Sequence, residues 1–241
     1  NNLKLKRLIA YNNILVDVDV TNSAELEVLS IWGNQLTSID VSNNLALTDL
    51  YLSNNQLSNL SVMNNSKLEN IDAWGNKISS MDVSRNVKLI ELMLYENEIT
   101  SIDVTLNTEL VKLNLWRNQL ATIDVSKNTK LTELILADNQ ITGIDLDGNI
   151  KLTELYLSGN ELTSLNLGEN SELLVLTLWD NQLTTLDVTS NPDLVDLTLS
   201  GNYLTSLDVS ENSALELLSV WGNQLGSMDV SNNLMLTELL L

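Results

Sequence analysis

The side chains that could do chemistry in this sequence are acidic or aromatic, because histidine and cysteine are both absent. The commonest general base and the commonest transition-metal ligand are therefore missing, and so are thiolate ligands and disulfides. Serine and threonine are abundant, but no histidine is available to activate them, and no glycine-rich phosphate loop occurs. The sequence therefore predicts a protein that is not an enzyme and that needs no cofactor.

Aspartate recurs at one position of a 21-residue register, interrupted by Ser61 and Asn166, which predicts a column of carboxylates on one face of the fold. The members are Asp19, Asp40, Asp82, Asp103, Asp124, Asp145, Asp187, Asp208 and Asp229. Because carboxylates are hard oxygen ligands, a weak alternative is loosely bound Ca²⁺ along this acidic face, at Asp82, Asp103 and Asp124. One carboxylate per repeat falls short of a coordination shell, so we favour a solubilising surface charge.

All five tryptophans share one position of the same 21-residue register, which indicates a row of aromatic side chains. They are Trp32, Trp74, Trp116, Trp179 and Trp221, with Tyr11 and Tyr95 in the same column. Two and four residues before this position come candidate ligand-binding tyrosines and acids: Tyr51, Tyr156, Glu91, Glu133 and Glu154. Exposed aromatic rows are typical of binding surfaces. The alternative is structural, with each indole lying flat over the neighbouring repeat.

The net charge of −20 limits the choice of partners, and no base follows Lys151. Such a field repels nucleic-acid phosphates and anionic lipids. No apolar run approaches the roughly 20 residues of a membrane-spanning helix. We therefore expect no nucleic-acid partner and no direct insertion into a membrane.

The elements that must position these side chains come from a repeat of 21 residues that fills the chain. Its copies begin at Leu5, Leu26, Leu47, Leu68, Leu89, Leu110, Leu131, Leu152, Leu173, Leu194, Leu215 and Leu236. Apolar residues at positions 1, 4, 6, 11, 14 and 16 of each copy have the period of two that strands with one buried face require. We expect a right-handed, mainly β solenoid of about 11 repeats, with two parallel sheets and little or no helix.

Two columns of asparagine, at positions 9 and 19 of the repeat, mark the corners of each coil. A side-chain amide can both donate and accept, so it can bond the loop backbone groups that no strand ladder reaches. We therefore assign these asparagines a structural role and no binding role.

The motif LxxLxLxxNxL, followed here by LxxLDVxxNxx, resembles the signature of the leucine-rich-repeat proteins. The nested 21-residue form is similar to the repeats of bacterial surface and secreted proteins, including internalin-like adhesins. The resemblance covers residues 1–241 as a single domain, and it implies an extracellular or cell-surface location and binding through the LxxLxL strands. Because the chain starts inside the pattern and ends on Leu239-Leu240-Leu241, we expect a fragment without caps.

Three functional hypotheses follow from the variable LxxLxL face. The first is recognition or adhesion, in which the Trp column and the acids bind a basic patch on a protein partner. The second is polysaccharide binding, because Trp32, Trp74 and Trp116 lie two coils apart, roughly 10 Å, which is comparable to a disaccharide step. The third is a structural spacer of a surface protein.

Overall fold

The computed structural model describes residues 2–241, and each repeat in it forms one coil with one short strand at positions 3–5. Residue contacts divide the chain into two compact units, Asn1–Leu120 and Ala121–Leu241. The first holds β1 (Arg7–Ile9), β2 (Val28–Ser30), β3 (Asp49–Tyr51), β4 (Asn70–Asp72), β5 (Glu91–Met93) and β6 (Lys112–Asn114). The second holds β7 (Glu133–Ile135), β8 (Glu154–Tyr156), β9 (Val175–Thr177), β10 (Asp196–Thr198), β11 (Leu217–Ser219) and β12 (Glu238–Leu240). The described residues contain no helix, and so none that could cross a membrane.

Within each unit, consecutive strands pair in parallel and in register, as in a β-solenoid. Leu29 of β2 is paired with Leu50 of β3, and Leu155 of β8 is paired with Leu176 of β9. These central leucines are fully buried. A register slip of one residue would turn them to solvent, so the leucine spacing fixes the pairing. The predicted parallel solenoid of about 11 coils is confirmed.

The inward positions predicted from the repeat form the core. In the coil that begins at Leu26, the side chains of Leu29, Ile31, Leu36 and Val41 are all at most 1% exposed. The same positions are buried in the coils that follow as far as Val220, whereas Leu225 and Val230 are half-buried and Leu239 and Leu241 are exposed. The period of two therefore predicts correctly which side chains point inward.

The expectation of a second parallel sheet is wrong, because the LxxLDV half of the coil forms no strand. There the chain bends locally: Asp40 Oδ1 accepts the backbone N–H of Ser42 at 2.9 Å, and the Asn44 N–H donates to the carbonyl of Val41 at 3.0 Å. A backbone group that is bonded within its own coil cannot join a ladder between coils. The cross-coil backbone bond of this half is made by position 10, as from Gln35 N–H to the Leu15 carbonyl at 2.9 Å.

The structural role predicted for the asparagines is confirmed most fully at position 9. The Asn97 amide donates to the carbonyls of Ala73 and Leu94 at 3.0 Å and of Tyr95 at 3.3 Å, and its Oδ1 accepts the N–H of Ile78 at 2.9 Å. Asn97 is 9% exposed. One side chain thus makes three buried and one half-buried hydrogen bond to backbone groups of two successive coils.

The column at position 19 is bonded less completely. The Asn86 amide donates to the carbonyls of Val62 and Asn65, at 3.0 and 2.9 Å, in the preceding coil. Its buried Oδ1 accepts no hydrogen bond from the described residues. Each column therefore makes two hydrogen bonds to the preceding coil, and position 9 adds bonds within its own coil.

We expect Asn97→Ala to lower the free energy of unfolding by about 3 kcal/mol or more, because a buried backbone group left without a partner costs roughly 1–3 kcal/mol. Urea denaturation followed by circular dichroism measures the change. Asn64→Ala is the matched control, since the exposed Asn64 amide makes one bond, to the Ser42 carbonyl at 3.1 Å, and its loss should cost less than about 1 kcal/mol. Equal effects of the two substitutions would contradict this account of the fold.

Candidate functional site

The outward face of the strands, at positions 3, 5 and 7, ends at a turn with one backbone conformation throughout. Position 8 has a positive φ in every coil: Asn12, Gly33, Asn54, Gly75, Glu96, Arg117, Asp138, Gly159, Asp180, Gly201 and Gly222. Glycine, asparagine and aspartate tolerate this left-handed region best. Their enrichment just after the Trp column was a signal of the turn that the sequence analysis missed.

In the first unit, the position-7 rings stack on one another. Tyr11 and Trp32 are parallel with centroids 4.7 Å apart, and Trp74 and Tyr95 are parallel with centroids 4.9 Å apart. Trp116 is tilted by 40° against Tyr95 at 6.1 Å. The rings are half-buried, apart from the more exposed Tyr11. The structural alternative for the Trp column thus describes part of this unit, and Tyr95 occupies the gap between Trp74 and Trp116 that sugar stacking would need.

The guanidinium of Arg117 continues this row of stacked rings. Arg117 lies over the Trp116 ring with Cζ 4.3 Å from the centroid, and its Nη1 is 3.0 Å from Glu96 Oε1 in the preceding coil. The indole face attracts the cation and the carboxylate neutralises it. The first unit therefore contains a complete site for a guanidinium, filled by its own side chain.

In the second unit, the indoles of Trp179 and Trp221 are 42% and 55% exposed. The coil between them carries Ser200 at position 7, and Ser200 is only 4% exposed. A cleft of about 330 Å³ lies between the two indoles, lined by Trp179, Asp180, Thr198, Ser200, Ser219 and Trp221. Here the aromatic column is interrupted, and the missing ring leaves an open space.

Hydroxyl groups form the floor of this cleft. The Oγ atoms of Ser200 and Ser219 are 2.7 Å apart and share a hydrogen bond. The Thr198 Oγ1 is buried and has no hydrogen-bond partner among the described residues. The floor therefore keeps an unused hydrogen-bonding group beneath the two indoles.

The predicted acids at position 3 lie at the first residue of each strand, four residues before the Trp column at position 7. Glu133 of β7 and Glu154 of β8 are paired in register, which places two like charges side by side. Tyr156 donates its hydroxyl to Glu154 Oε2 at 2.9 Å. Burial, followed by this bond, raises the pKa of Tyr156 to about 12.

The corresponding part of the first unit is less acidic. Tyr51 donates to Asp49 Oδ1 at 3.2 Å, and burial raises the pKa of its hydroxyl. Glu91 of β5 is paired in register with Lys112 of β6. Residues 1–120 contain nine basic and fourteen acidic residues, whereas residues 121–241 contain three and eighteen. The second unit thus combines the open cleft with most of the negative charge.

The aspartates of the 21-residue column, at position 15 of the coil, bond the backbone of their own turns. Each of Asp82, Asp103 and Asp124 accepts the backbone N–H of the residue two positions later at 2.9 Å. Bonds from Ser84 and Ser126 hold the pKa values of Asp82 and Asp124 below their usual range. Among residues 2–241, no three acidic side chains converge closely enough to hold a metal ion. The column supplies turns, which the repeated Asp-x-Ser/Thr pattern could have indicated.

Asp72, on β4, is a carboxyl group of the strand face whose ionised form is disfavoured by burial. It accepts a hydrogen bond from the Ser53 hydroxyl. Burial nevertheless raises the pKa of Asp72. The folded state therefore bears a cost when this carboxyl is ionised.

We expect Asp72→Asn to raise the free energy of unfolding at neutral pH, because the amide keeps an acceptor for Ser53 and removes the charge. The gain should shrink as the pH falls through the raised folded-state pKa of Asp72, where the wild-type carboxyl becomes protonated. Urea denaturation from pH 8 to below the ordinary aspartate pKa of 3.8 measures this dependence.

Asp40→Asn is the control with the opposite sign, because a hydrogen bond from Ser42 lowers the pKa of Asp40. Its stabilising contribution exists above the unfolded-state pKa and is lost as the pH falls. A gain from Asp72→Asn that did not depend on pH would contradict the assignment.

Comparisons with known proteins agree with this geometry. The family model described as "Leucine Rich repeats (2 copies)" matches residues 129–170. A search of curated proteins finds no match to this sequence. The functional domain of InlJ from Listeria monocytogenes is 33% identical with a TM-score of 0.98, and the alignment covers 100% of this chain and 54% of that chain. That domain is described as including a cysteine ladder, whereas this chain has no cysteine.

Two more distant structures share the fold. The internalin InlF from Listeria monocytogenes is 24% identical with a TM-score of 0.79, and the alignment covers 98% of this chain and 80% of that one. A chain of the Toll–Spatzle complex of Drosophila is 23% identical with a TM-score of 0.69, and the alignment covers 85% and 31%. This fold generally serves as a protein-interaction module. The chain is a leucine-rich-repeat protein whose 21-residue coils are of the internalin-like type.

Proposed function

We propose that this chain is a non-enzymatic recognition or adhesion module that binds a protein partner through the outward face of its strands. The observation that carries the proposal is the exposure of Trp179, at 42%, beside an open cleft that it lines together with Trp221 on that face. Large exposed aromatic side chains with polar surroundings are the usual anchors of protein interfaces.

The charge of the same unit supports a basic partner surface. Residues 121–241 carry eighteen acidic and three basic residues, and Glu133 and Glu154 lie next to each other on the face. Complementary charge accelerates encounter and disfavours acidic partners. The partner proposed for this face is therefore a protein with a positively charged patch.

The similar proteins support the class of partner and the location. The Toll chain of the Drosophila structure was solved in complex with Spatzle. Two of the similar chains are internalin-like proteins of Listeria monocytogenes, and a plant receptor kinase contributes a similar ectodomain. We accordingly place this module outside the cell or at its surface.

The test is surface plasmon resonance of the chain against immobilised extracellular proteins that span a range of isoelectric points. The double variant Trp221→Ala/Glu154→Gln should bind a basic partner at least about tenfold more weakly, because truncation of an anchor costs about 2 kcal/mol. Added salt should weaken wild-type binding, because it screens exposed charges.

A matched double variant changes the same number of charges and exposed apolar side chains away from the face. Asp208→Asn/Leu234→Ala alters a turn aspartate and a leucine that is 86% exposed, and it should bind like wild type. Weaker binding by this control alone would contradict the proposal, and so would binding that disappears when glycans are removed from the partner.

A further inference from the structure

We infer that the cleft between Trp179 and Trp221 is a binding slot for an arginine side chain of the partner, with Asp180 as its counter-charge. The inference rests on the proposed function and specifies the group that the strand face recognises. Four features of the described residues carry it: the missing ring, a filled equivalent in the first unit, the position of Asp180, and the hydroxyl floor.

The separation of the two indoles expected from the coil spacing suits one planar group. Adjacent rings in the first unit stack at 4.7 and 4.9 Å, which is the spacing between coils. Trp179 and Trp221 are two coils apart, so their strands are separated by about 9.6 Å. A guanidinium placed midway would be about 4.8 Å from each indole, close to the 4.3 Å at which Arg117 lies over Trp116. The coil spacing therefore matches a guanidinium between two indoles.

The first unit shows how this fold holds a guanidinium. Arg117 stacks on the indole of Trp116 and pairs with Glu96, a carboxylate at position 8 of the preceding coil. In the second unit, position 8 of the coil that precedes Ser200 is Asp180. A guanidinium at the level of Ser200 would thus have a carboxylate in the preceding coil, as Arg117 has. Its indoles would lie in the two adjacent coils, whereas the indole under Arg117 belongs to the same coil.

The Asp180 carboxylate lies at the level of the slot. Its Oδ1 occupies the space where a Cβ on Gly201 would be, so glycine in the next coil lets the side chain lie there. Asp180 is exposed, and its carboxylate accepts no hydrogen bond from the described residues. The group is therefore free to pair with an incoming cation.

The floor of the cleft suits a guanidinium, which has five N–H donors and no acceptor. Thr198 Oγ1 is buried without a partner and can accept, and the hydroxyls of Ser200 and Ser219 have further lone pairs. A lysine ammonium would neutralise Asp180 but would not stack as a plane between two rings. The geometry thus favours arginine over lysine.

A second interruption of the Trp column lacks these features and shows that a missing ring alone is not enough. Ser53 lies between Trp32 and Trp74, but position 8 of the preceding coil is Gly33. The Ser53 hydroxyl is bonded to Asp72, and both indoles are half-buried. That gap offers no exposed carboxylate, so we assign the slot only to the second unit.

The test uses the full chain and a blocked Gly-Gly-Arg-Gly-Gly peptide, titrated while the five indole N–H signals are followed by NMR. The peptide should shift the signals of Trp179 and Trp221 and leave those of Trp32 and Trp74 unchanged. The same peptide with citrulline is the neutral control, and it should bind at least about fivefold more weakly, because it keeps the planar group and loses the charge. The lysine peptide should bind more weakly than the arginine peptide.

Asp180→Asn should weaken arginine binding about fivefold, as expected for an ion pair worth about 1 kcal/mol. Asparagine fits the backbone, since Asn12 and Asn54 adopt the same positive φ. Asp138→Asn is the matched control, because Asp138 has the same backbone conformation in the same unit and its Oδ1 likewise lies against a glycine, Gly159. It removes an equal charge, but its coil has Ala137 in place of an indole, and binding should stay within about twofold.

Three results would overturn the inference: equal binding of the citrulline peptide, equal effects of Asp180→Asn and Asp138→Asn, and no indole shift at millimolar peptide. Shifts of Trp179 and Trp221 by a neutral oligosaccharide, unaffected by Asp180→Asn, would assign the cleft to a sugar instead. These outcomes differ from failure of the proposed function. If a basic protein bound the Asp180→Asn variant as tightly as it binds the wild type, the strand-face interface would stand. Only the arginine slot would then be contradicted.

Discussion

The structure depends on buried side-chain amides that join each coil to the next. An isolated coil has one three-residue strand and long irregular segments, so most of its backbone groups would be left without partners. At position 9, one asparagine satisfies four of them, as Asn97 does for Ala73, Leu94, Tyr95 and Ile78. Because the same bonds recur in successive coils of each unit, coil spacing is fixed by backbone chemistry and is insensitive to the outward residues.

Because the spacing between coils is constant, side chains at the same outward position of successive coils form a column. Neighbours in a column either contact one another or leave a gap. Two aromatic rings in adjacent coils stack at about the strand spacing, as Trp74 and Tyr95 do. An indole next to serine has no stacking ring on that side, as for Trp179 beside Ser200. The binding properties of the surface therefore come from where a column is interrupted, as well as from which residues it contains.

This dependence on neighbours explains how much the sequence predicts. The 21-residue period identifies the buried leucines, the strand at LxxLxL and the asparagine corners, because each of these follows from one position of the repeat. The second sheet was expected on the same basis and is absent, because Asp40 and its equivalents bond their own coil. The exposure of an indole depends on the residue one coil away, so Trp74 beside Tyr95 and Trp179 between two serines share a position but differ in environment.

Carboxylates in this protein differ in the same way, and the difference bears on recognition. The turn aspartates accept local hydrogen bonds that lower their pKa values, as at Asp187, so their charge is stabilised within the coil. Asp196, at position 3 of the coil that contains Ser200, has a buried Oδ1 with no hydrogen-bond partner among the described residues, and burial raises its pKa. A cation brought to this face by a partner would favour the ionised form of Asp196, whose buried Oδ1 has no partner within the described residues. The strand face therefore holds a buried carboxylate oxygen without a partner, whereas the turn aspartates are already stabilised by bonds within their own coil.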